Sequence, residues 1–316
     1  MAERSSGSSR RGAVIIPAYN EATVIGRTLV PLGRAAAEGC FELVVVCNGC
    51  TDDTAAVARK IPGVRVVELP EGSKPAALNV GDRVVSLWPR LYLDADIRIS
   101  AAAVLDVLDR LARGDVCAAR PVFRYDFAAA DPLVRSYYRA RQRIRRETVL
   151  WGAGVYGLAE AGHVRFGSFP DLIGDDLFVD GLFGPDEKVV VDTEPAVVTT
   201  PTDVVSLLAI LRRGQRGVVE ARTDGGRTGS TGPATARAVL LSIRGPGTAV
   251  DALVYLACGL VARGGRATAD RGMGAGREQP GPPVIGLTSG HSRRCRRCDR
   301  DEPCSRHRSC HGRCCR

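Results

Sequence analysis

Asp94 and Asp96 carry the most legible chemistry in this chain. They close the run Leu91-Tyr92-Leu93-Asp94-Ala95-Asp96, in which a mostly apolar triplet leads into two carboxylates one residue apart. Such a run reads as a buried strand ending in acid. Alternate side chains of a strand share a face, so both carboxylates point the same way at its carboxyl end. Two same-facing carboxylates repel one another unless a cation is near. Oxygen ligands suit Mg²⁺ or Mn²⁺, and a metal held by few carboxylates completes its shell with phosphate oxygens. The expected site therefore holds a divalent cation and a diphosphate. The competing explanation is a turn after a strand, where Asp is common.

Other residues could join that chemistry. Asp175 and Asp176 are adjacent at an expected helix start. On a helix they point about 100° apart, so one of them faces a reaction centre squarely. A carboxyl that is partly desolvated beside another has a raised pKa, which suits a general base; helix-start acids that favour the dipole are the plainer alternative. Lys74 stands in a Gly/Ser loop, in a chain whose only other lysines are Lys60 and Lys188. As a point charge it suits phosphate. Arg212, Arg213 and Arg216 follow an apolar run and could close over a diphosphate or decorate a surface helix. Arg135, Arg139, Arg141, Arg143, Arg145 and Arg146 crowd one helix beside Tyr137 and Tyr138. A solvated face is the first expectation there, and an anionic acceptor or a membrane surface the second. His163 is expected to be structural.

The elements that must position these groups alternate. Ala13–Ile16, Phe41–Val46, Val64–Leu69 and Leu91–Leu93 are short apolar runs of the kind that buried parallel strands show. Helical spacing lies between them, over 21–37, after Asp52-Asp53-Thr54, and over 75–85. A β-α-β-α-β-α-β alternation predicts an open, mostly parallel α/β sheet with helices on both faces, in which ligands bind at the carboxyl ends of the strands. No G-x-G-x-x-G follows the first strand and no G-x-x-x-x-G-K-[ST] occurs. That argues against dinucleotide-binding and P-loop chemistry.

Composition sets limits. The chain has 316 residues and a formal net charge of +9. Residues 263–316 hold thirteen arginines against five acidic residues, so nearly all the excess lies there. The near-neutral body argues against specific nucleic-acid binding. Six of the 11 cysteines (Cys295, Cys298, Cys304, Cys310, Cys314, Cys315) also fall in that tail, with His307 and His311. Their spacing fits no zinc pattern, and a basic, disordered tail is expected. A shifted reading frame in a GC-rich gene would give the same abrupt enrichment. The scattered cysteines of the body suit a reducing, cytoplasmic compartment. No run reaches the roughly 18–20 apolar residues that span a bilayer. The nearest, Ala249–Ala262, is interrupted by Asp251 and is expected to pack on the body or rest on a membrane surface.

Four elements together are similar to family 2 glycosyltransferases. They are Ile16-Pro17-Ala18-Tyr19-Asn20-Glu21, Asn48-Gly49-Cys50-Thr51-Asp52-Asp53-Thr54, Lys74-Pro75-Ala76-Ala77-Leu78-Asn79-Val80-Gly81, and Asp94-Ala95-Asp96. They occur in family order over residues 13–96. Trp151–Leu158 and Phe169–Val179 resemble, more loosely, the family's Gly-rich stretch and its acidic pair. The resemblance implies a GT-A fold, Mg²⁺ or Mn²⁺, and inverting transfer of a sugar from a nucleotide-sugar donor. The acceptor hydroxyl would belong to a glycan, lipid carrier or small molecule, lipid-linked or anionic among the options, in cell-wall or polysaccharide biosynthesis. It implies Asp96 as metal ligand, with Asp94 sharing the metal or reaching the ribose or sugar. It implies donor contacts from Pro17, Tyr19, Glu21, Asn48, Lys74, Asp94, Arg213 and Arg216, and Asp176 as base supported by Asp175. Asn48 stands where the family has an acidic residue, which leaves the base open; Asp52 is expected to cap the next helix. The expected organisation is a leader over 1–12, a catalytic domain over 13–225, a linker and helical extension over 226–265, and the tail over 266–316. The rivals are a nucleotidyltransferase and a non-catalytic protein that binds nucleic acid or membranes on an inert scaffold.

Overall fold

The computed structural model describes residues 10–144, 149–223 and 232–272. Arg145, Arg146 and the Cys/His residues of the tail lie outside the described residues. The elements in chain order are β1 (Ala13–Ala18), α1 (Ile25–Ala37), β2 (Glu42–Asn48), α2 (Thr54–Arg59), β3 (Val64–Leu69), α3 (Lys74–Val84), β4 (Arg90–Leu93), α4 (Ala101–Ala112), β5 (Ala118–Asp126) and α5 (Pro132–Arg143). Then come β6 (Val155–Leu158), α6 (Glu160–His163), α7 (Asp175–Leu182), β7 (Lys188–Thr199), α8 (Val204–Thr223), α9 (Gly232–Leu241) and α10 (Pro246–Gly272).

The seven strands form one sheet in the order β3-β2-β1-β4-β6-β5-β7. β1 pairs in parallel with β2 on one side and β4 on the other. The winding therefore reverses between β1 and β4, and the crevice beyond their carboxyl ends is where such sheets bind ligands. β6 is the exception to the parallel sheet. It runs antiparallel to both β4 and β5 and brings the segment before it, 151–154, back to the end of β4.

Strand β1 is apolar throughout because both its faces are covered. Val14 and Ile16 pack with α1 and α4 on one side, and Ala13 and Ile15 pack with α3 on the other. Each isoleucine is 0% exposed, which stabilises the fold by roughly 1.5–3 kcal/mol per side chain. Gly81 lets α3 lie against β1: a Cβ there would stand 2.3 Å from Ile15 Cγ2. Ser73 caps α3 by accepting the Ala76 N–H, which fixes the turn that carries Lys74.

Helix α1 begins at Ile25, later than the sequence spacing predicts, because the second loop takes up the preceding backbone. The Glu21 N–H donates to Thr54 Oγ1, and the Ala22 N–H to Asp52 Oδ2. Asp52 also accepts the Thr54 N–H, but the residue at the N-cap of α2 is Asp53, so Asp52 braces the turn from one position further out rather than capping the helix as expected.

The arginine-rich helix is only in part the solvated face that the sequence suggests: Arg135 and Arg139 are exposed, Arg141 and Arg143 are half-buried, and all four make bonds within the fold. Arg135 donates to the carbonyls of Ala128 and Ala130. Arg139 and Arg143 both pair with Asp251 of α10, which is 3% exposed and also accepts from Ser136 Oγ. Arg141 donates to Tyr125 Oη at 2.6 Å. The charge inside the Ala249–Ala262 run is thus what fastens α10 to α5. His163 is structural: its Nε2 meets Asp82 at 2.9 Å amid Trp88, Phe166 and Phe169. Among the described residues no helix is long and apolar enough to cross a membrane.

Two outcomes follow from this packing. Gly81→Ala should lower the unfolding free energy by about 1–3 kcal/mol in a urea melt, since the core around Ile15 has no room for a methyl group. Asp251 has its carboxyl held below the usual range: burial pushes it up, but the bonds from Arg139, Ser136 and Arg143 outweigh that. Its contribution is therefore complete above the unfolded pKa of about 3.9 and fades as pH falls towards the folded value. Asp251→Ala should cost about 2 kcal/mol at neutral pH and progressively less in acid, read by melts across that range.

Candidate active site

The end of β4 is held by a chain of backbone bonds. The Asp94 N–H donates to the Gly154 carbonyl, and the Ala95 carbonyl accepts from the buried Thr28 Oγ1 at 2.7 Å. Gly154 has φ +64° and sits against Asp94, where a Cβ would stand 3.1 Å from Oδ2. Strand end, α1 and the 151–154 segment thus fix Asp94-Ala95-Asp96 from three sides.

Lys74 bridges the site. Its ammonium lies 2.6 Å from Asp94 Oδ1 and 2.7 Å from Asp175 Oδ1. Burial pulls that ammonium down, yet the two carboxylates outweigh it and hold it above its ordinary range. Asp175 is 7% exposed and also accepts from Tyr156 Oη at 2.8 Å, so α7 is tied to α3 and β6 through one side chain. Asp176, the next residue, accepts the Gly152 N–H at 2.8 Å through Oδ2. Burial and the charge of Asp175 push its carboxyl up to about 6, against the opposing pull of Lys74 and the Gly152 bond.

The segment before α7 is anchored at two points. Asn79 of α3 exchanges two hydrogen bonds with the Phe169 backbone. Gly217 of α8 allows close approach to Ile173, whose carbonyl would stand 2.5 Å from a Cβ. These contacts fix where the acidic pair enters the crevice.

Asp96 has its carboxyl raised, first by burial and then by Asp94; Lys74 and Arg213 oppose this. Glu21 is raised by burial, Asp96, Asp94 and Asp52. The acids after β1 and β4 therefore share one electrostatic environment, and Arg213 reaches it from α8. Among the described residues no three His, Cys, Asp or Glu side chains come close enough to hold a metal alone. A cation placed between Asp94 and Asp96 would relieve the raised Asp96 and take its remaining ligands from bound oxygen, so the residues fit one.

The other expected donor residues are placed unequally. Tyr19 is 55% exposed beside Gly72 at the crevice mouth, and Pro17 is buried at the end of β1. Asn48 is 3% exposed, and its NH₂ donates to the Ala18 carbonyl at 2.9 Å, so it ties β2 to β1 rather than facing open space. Arg212 and Arg216 are exposed on α8. Sequence reasoning missed Tyr156, Thr28, Gly152 and the pairing of Lys74 with Asp175. Tyr156 and Gly152 lie in the Gly-rich stretch already singled out, which was the available signal; a bridge across 101 positions has none.

Residues 13–160 match the model of the family described as Glycosyl transferase family 2. No curated protein matches the chain in sequence. Among solved structures, it resembles a mannosyltransferase from Pyrobaculum calidifontis in complex with GDP-Man and Mn²⁺. The two share 22% identity over 83% of this chain and 80% of that one, with a TM-score of 0.55. Weaker likenesses, with TM-scores of 0.49 and 0.47, are to glucosyl-3-phosphoglycerate synthase from Mycobacterium tuberculosis (20% identity, 71% of this chain and 82% of that one) and to TarS from S. aureus with UDP-GlcNAc (16%, 72% and 70%). The fold is GT-A, and the family 2 glycosyltransferase match over residues 13–160 marks a glycosyltransferase.

Proposed function

We propose that the enzyme is an inverting, metal-dependent hexosyltransferase with Asp176 as its base. The observation that carries this reading is the pairing of two differently tuned acid groups in one crevice. Asp94 and Asp96 stand at the strand end, and Asp176, with its carboxyl raised to about 6, is close enough for the Asp94 charge to act on it. A carboxylate with that pKa is ionised at neutral pH yet basic enough to accept a proton in the transition state. Mg²⁺ or Mn²⁺ would be held by Asp96, with Asp94 sharing it or turning to the donor sugar, and when bound would neutralise charge on the nucleoside diphosphate. The same D-x-D pair accounts for the acid excess that Lys74 and Arg213 offset.

The chain's own residues perform the rest. Pro17, Tyr19 and Glu21 border the donor crevice, and Asn48 shapes it by holding the loop after β1. Lys74 and Arg213 supply positive charge for the diphosphate; Arg216, one turn on, would join only as the donor arrives. Asp175 positions Asp176 by tying α7 to Lys74 and Tyr156. The acceptor oxygen attacks the anomeric carbon as Asp176 takes its proton, and the bond from that carbon to the phosphate oxygen breaks. One displacement of this kind inverts the anomeric configuration.

The five described cysteines are free, which fits a cytoplasmic enzyme. Val250, Leu253, Leu260 and Val261 of α10 are exposed on one stripe, which supports peripheral contact with the inner face of a membrane. A lipid-linked acceptor and a role in cell-wall or polysaccharide synthesis belong to the same proposal.

Release of nucleoside diphosphate in the presence of an accepted sugar acceptor tests the base. Turnover should fall about tenfold per pH unit below about 6, because only the ionised Asp176 accepts a proton. Asp176→Asn should cut turnover by about 10²–10⁴-fold without lowering stability at neutral pH, since a carboxyl raised by folding costs stability when ionised. Near-normal turnover in Asp176→Asn would remove it from the role.

A further inference from the structure

A second cavity, of about 330 Å³, lies behind the Trp151–Gly152 segment. Its walls come from β5, the end of α5, Trp151 and α10, and include Arg120, Phe123, Tyr125, Arg141, Trp151 and Tyr255. That volume falls within the range of small-molecule pockets. Tyr255 belongs to α10, outside the segment that the family model covers.

Arg141 is the singular feature of this cavity. Arg135 is satisfied by carbonyls, and Arg139 and Arg143 by Asp251. Arg141 faces phenols instead: Tyr125, Tyr137, Tyr138 and Tyr255. Among the described residues no carboxylate pairs with it. A half-buried guanidinium whose described partners are neutral phenols keeps its charge available, and guanidinium is the group that binds carboxylate or phosphate in a two-pronged fork. Aromatic and apolar walls suit the body of a ligand whose anionic end meets that fork.

The cavity also adjoins the reaction centre. Trp151 lines it, and the next residue, Gly152, donates its N–H to Asp176. Arg141 Nη2 would stand 3.2 Å from a Cβ at Gly152, whose φ is +85°. Arg141 and Asp176 thus both approach Gly152.

We propose that this cavity is the acceptor subsite and selects a small hydroxylated acceptor bearing a carboxylate or phosphate, held by Arg141 with α10 as its outer wall. The proposal rests on the transfer reading above. The Gly at position 152 then serves both partners: it bonds the base and leaves space for the Arg141 guanidinium.

A matched pair of probes, 4-carboxyphenyl and 4-carbamoylphenyl β-D-glucopyranoside, separates charge from shape. Titration calorimetry on the full chain should show the carboxylate bound at least roughly tenfold more tightly than the amide. In Arg141→Gln the two affinities should converge, while nucleoside diphosphate binding with Mn²⁺ stays as in the wild type. Val190 of β7 also lines the cavity, and Val190→Trp, which fills that space without touching its charge, should weaken both probes. Equal affinities in the wild type, a preference that survives Arg141→Gln, or unchanged binding in Val190→Trp would each overturn the proposal. Should the wild type bind no nucleoside diphosphate with Mn²⁺, the transfer reading itself would fall, and that readout is independent of the probe ratio.

Discussion

Acid crowding is the constraint on which the rest of this structure depends. Glu21, Asp94, Asp96, Asp175 and Asp176 all come to the carboxyl end of one sheet, and each feels the charge of at least one other. Such a cluster is unstable alone. The Lys74 bridge between Asp94 and Asp175 offsets part of it and joins the first half of the fold to the second. What the bridge does not offset appears as the raised carboxyls of Asp96 and Asp176. In the proposed mechanism the first would take a cation and the second a proton. Both halves of a transfer reaction thus draw on one electrostatic imbalance.

The fold makes that imbalance possible by surrounding it with rigid elements. β1 and β4 diverge at the switch point, β6 returns the 151–154 segment to the end of β4, and α3 delivers both Lys74 and Asn79 from a helix seated on Gly81. None of the acids stands on a free loop tip. Asp175 is tied by two partners and Asp176 by a backbone N–H, which is how positions are held tightly enough for proton transfer.

Much of this was legible in the residues themselves. Parallel strands covered on both faces leave continuous apolar runs, so β1, β2 and β4 could be read directly, and so could the acid pair at the end of β4. Lys74 stood out because the chain has only three lysines and otherwise uses arginine. What could not be read depends on contacts between distant residues. Asp251 looked like an interruption in an apolar helix, yet it is the group that fastens that helix to α5. The arginines of α5 looked like a solvated face because helical spacing says nothing about what packs against a helix. Asn48 matched a donor-binding position in sequence, and the bond from its NH₂ to the Ala18 carbonyl had no signal there. An antiparallel β6 inside a parallel sheet has no signature in a four-residue run.

The most direct test of the account is thermal melting of the full chain with UDP, GDP, dTDP or CDP, each with and without Mn²⁺. A ligand at about 100 times its dissociation constant adds roughly 2.7 kcal/mol of stability, which is a readable shift. The account predicts stabilisation by one nucleotide that needs Mn²⁺ and disappears in Asp96→Asn, with the variant as stable as the wild type when no ligand is present. Stabilisation that ignores both the metal and Asp96, or none with any nucleotide, would contradict it.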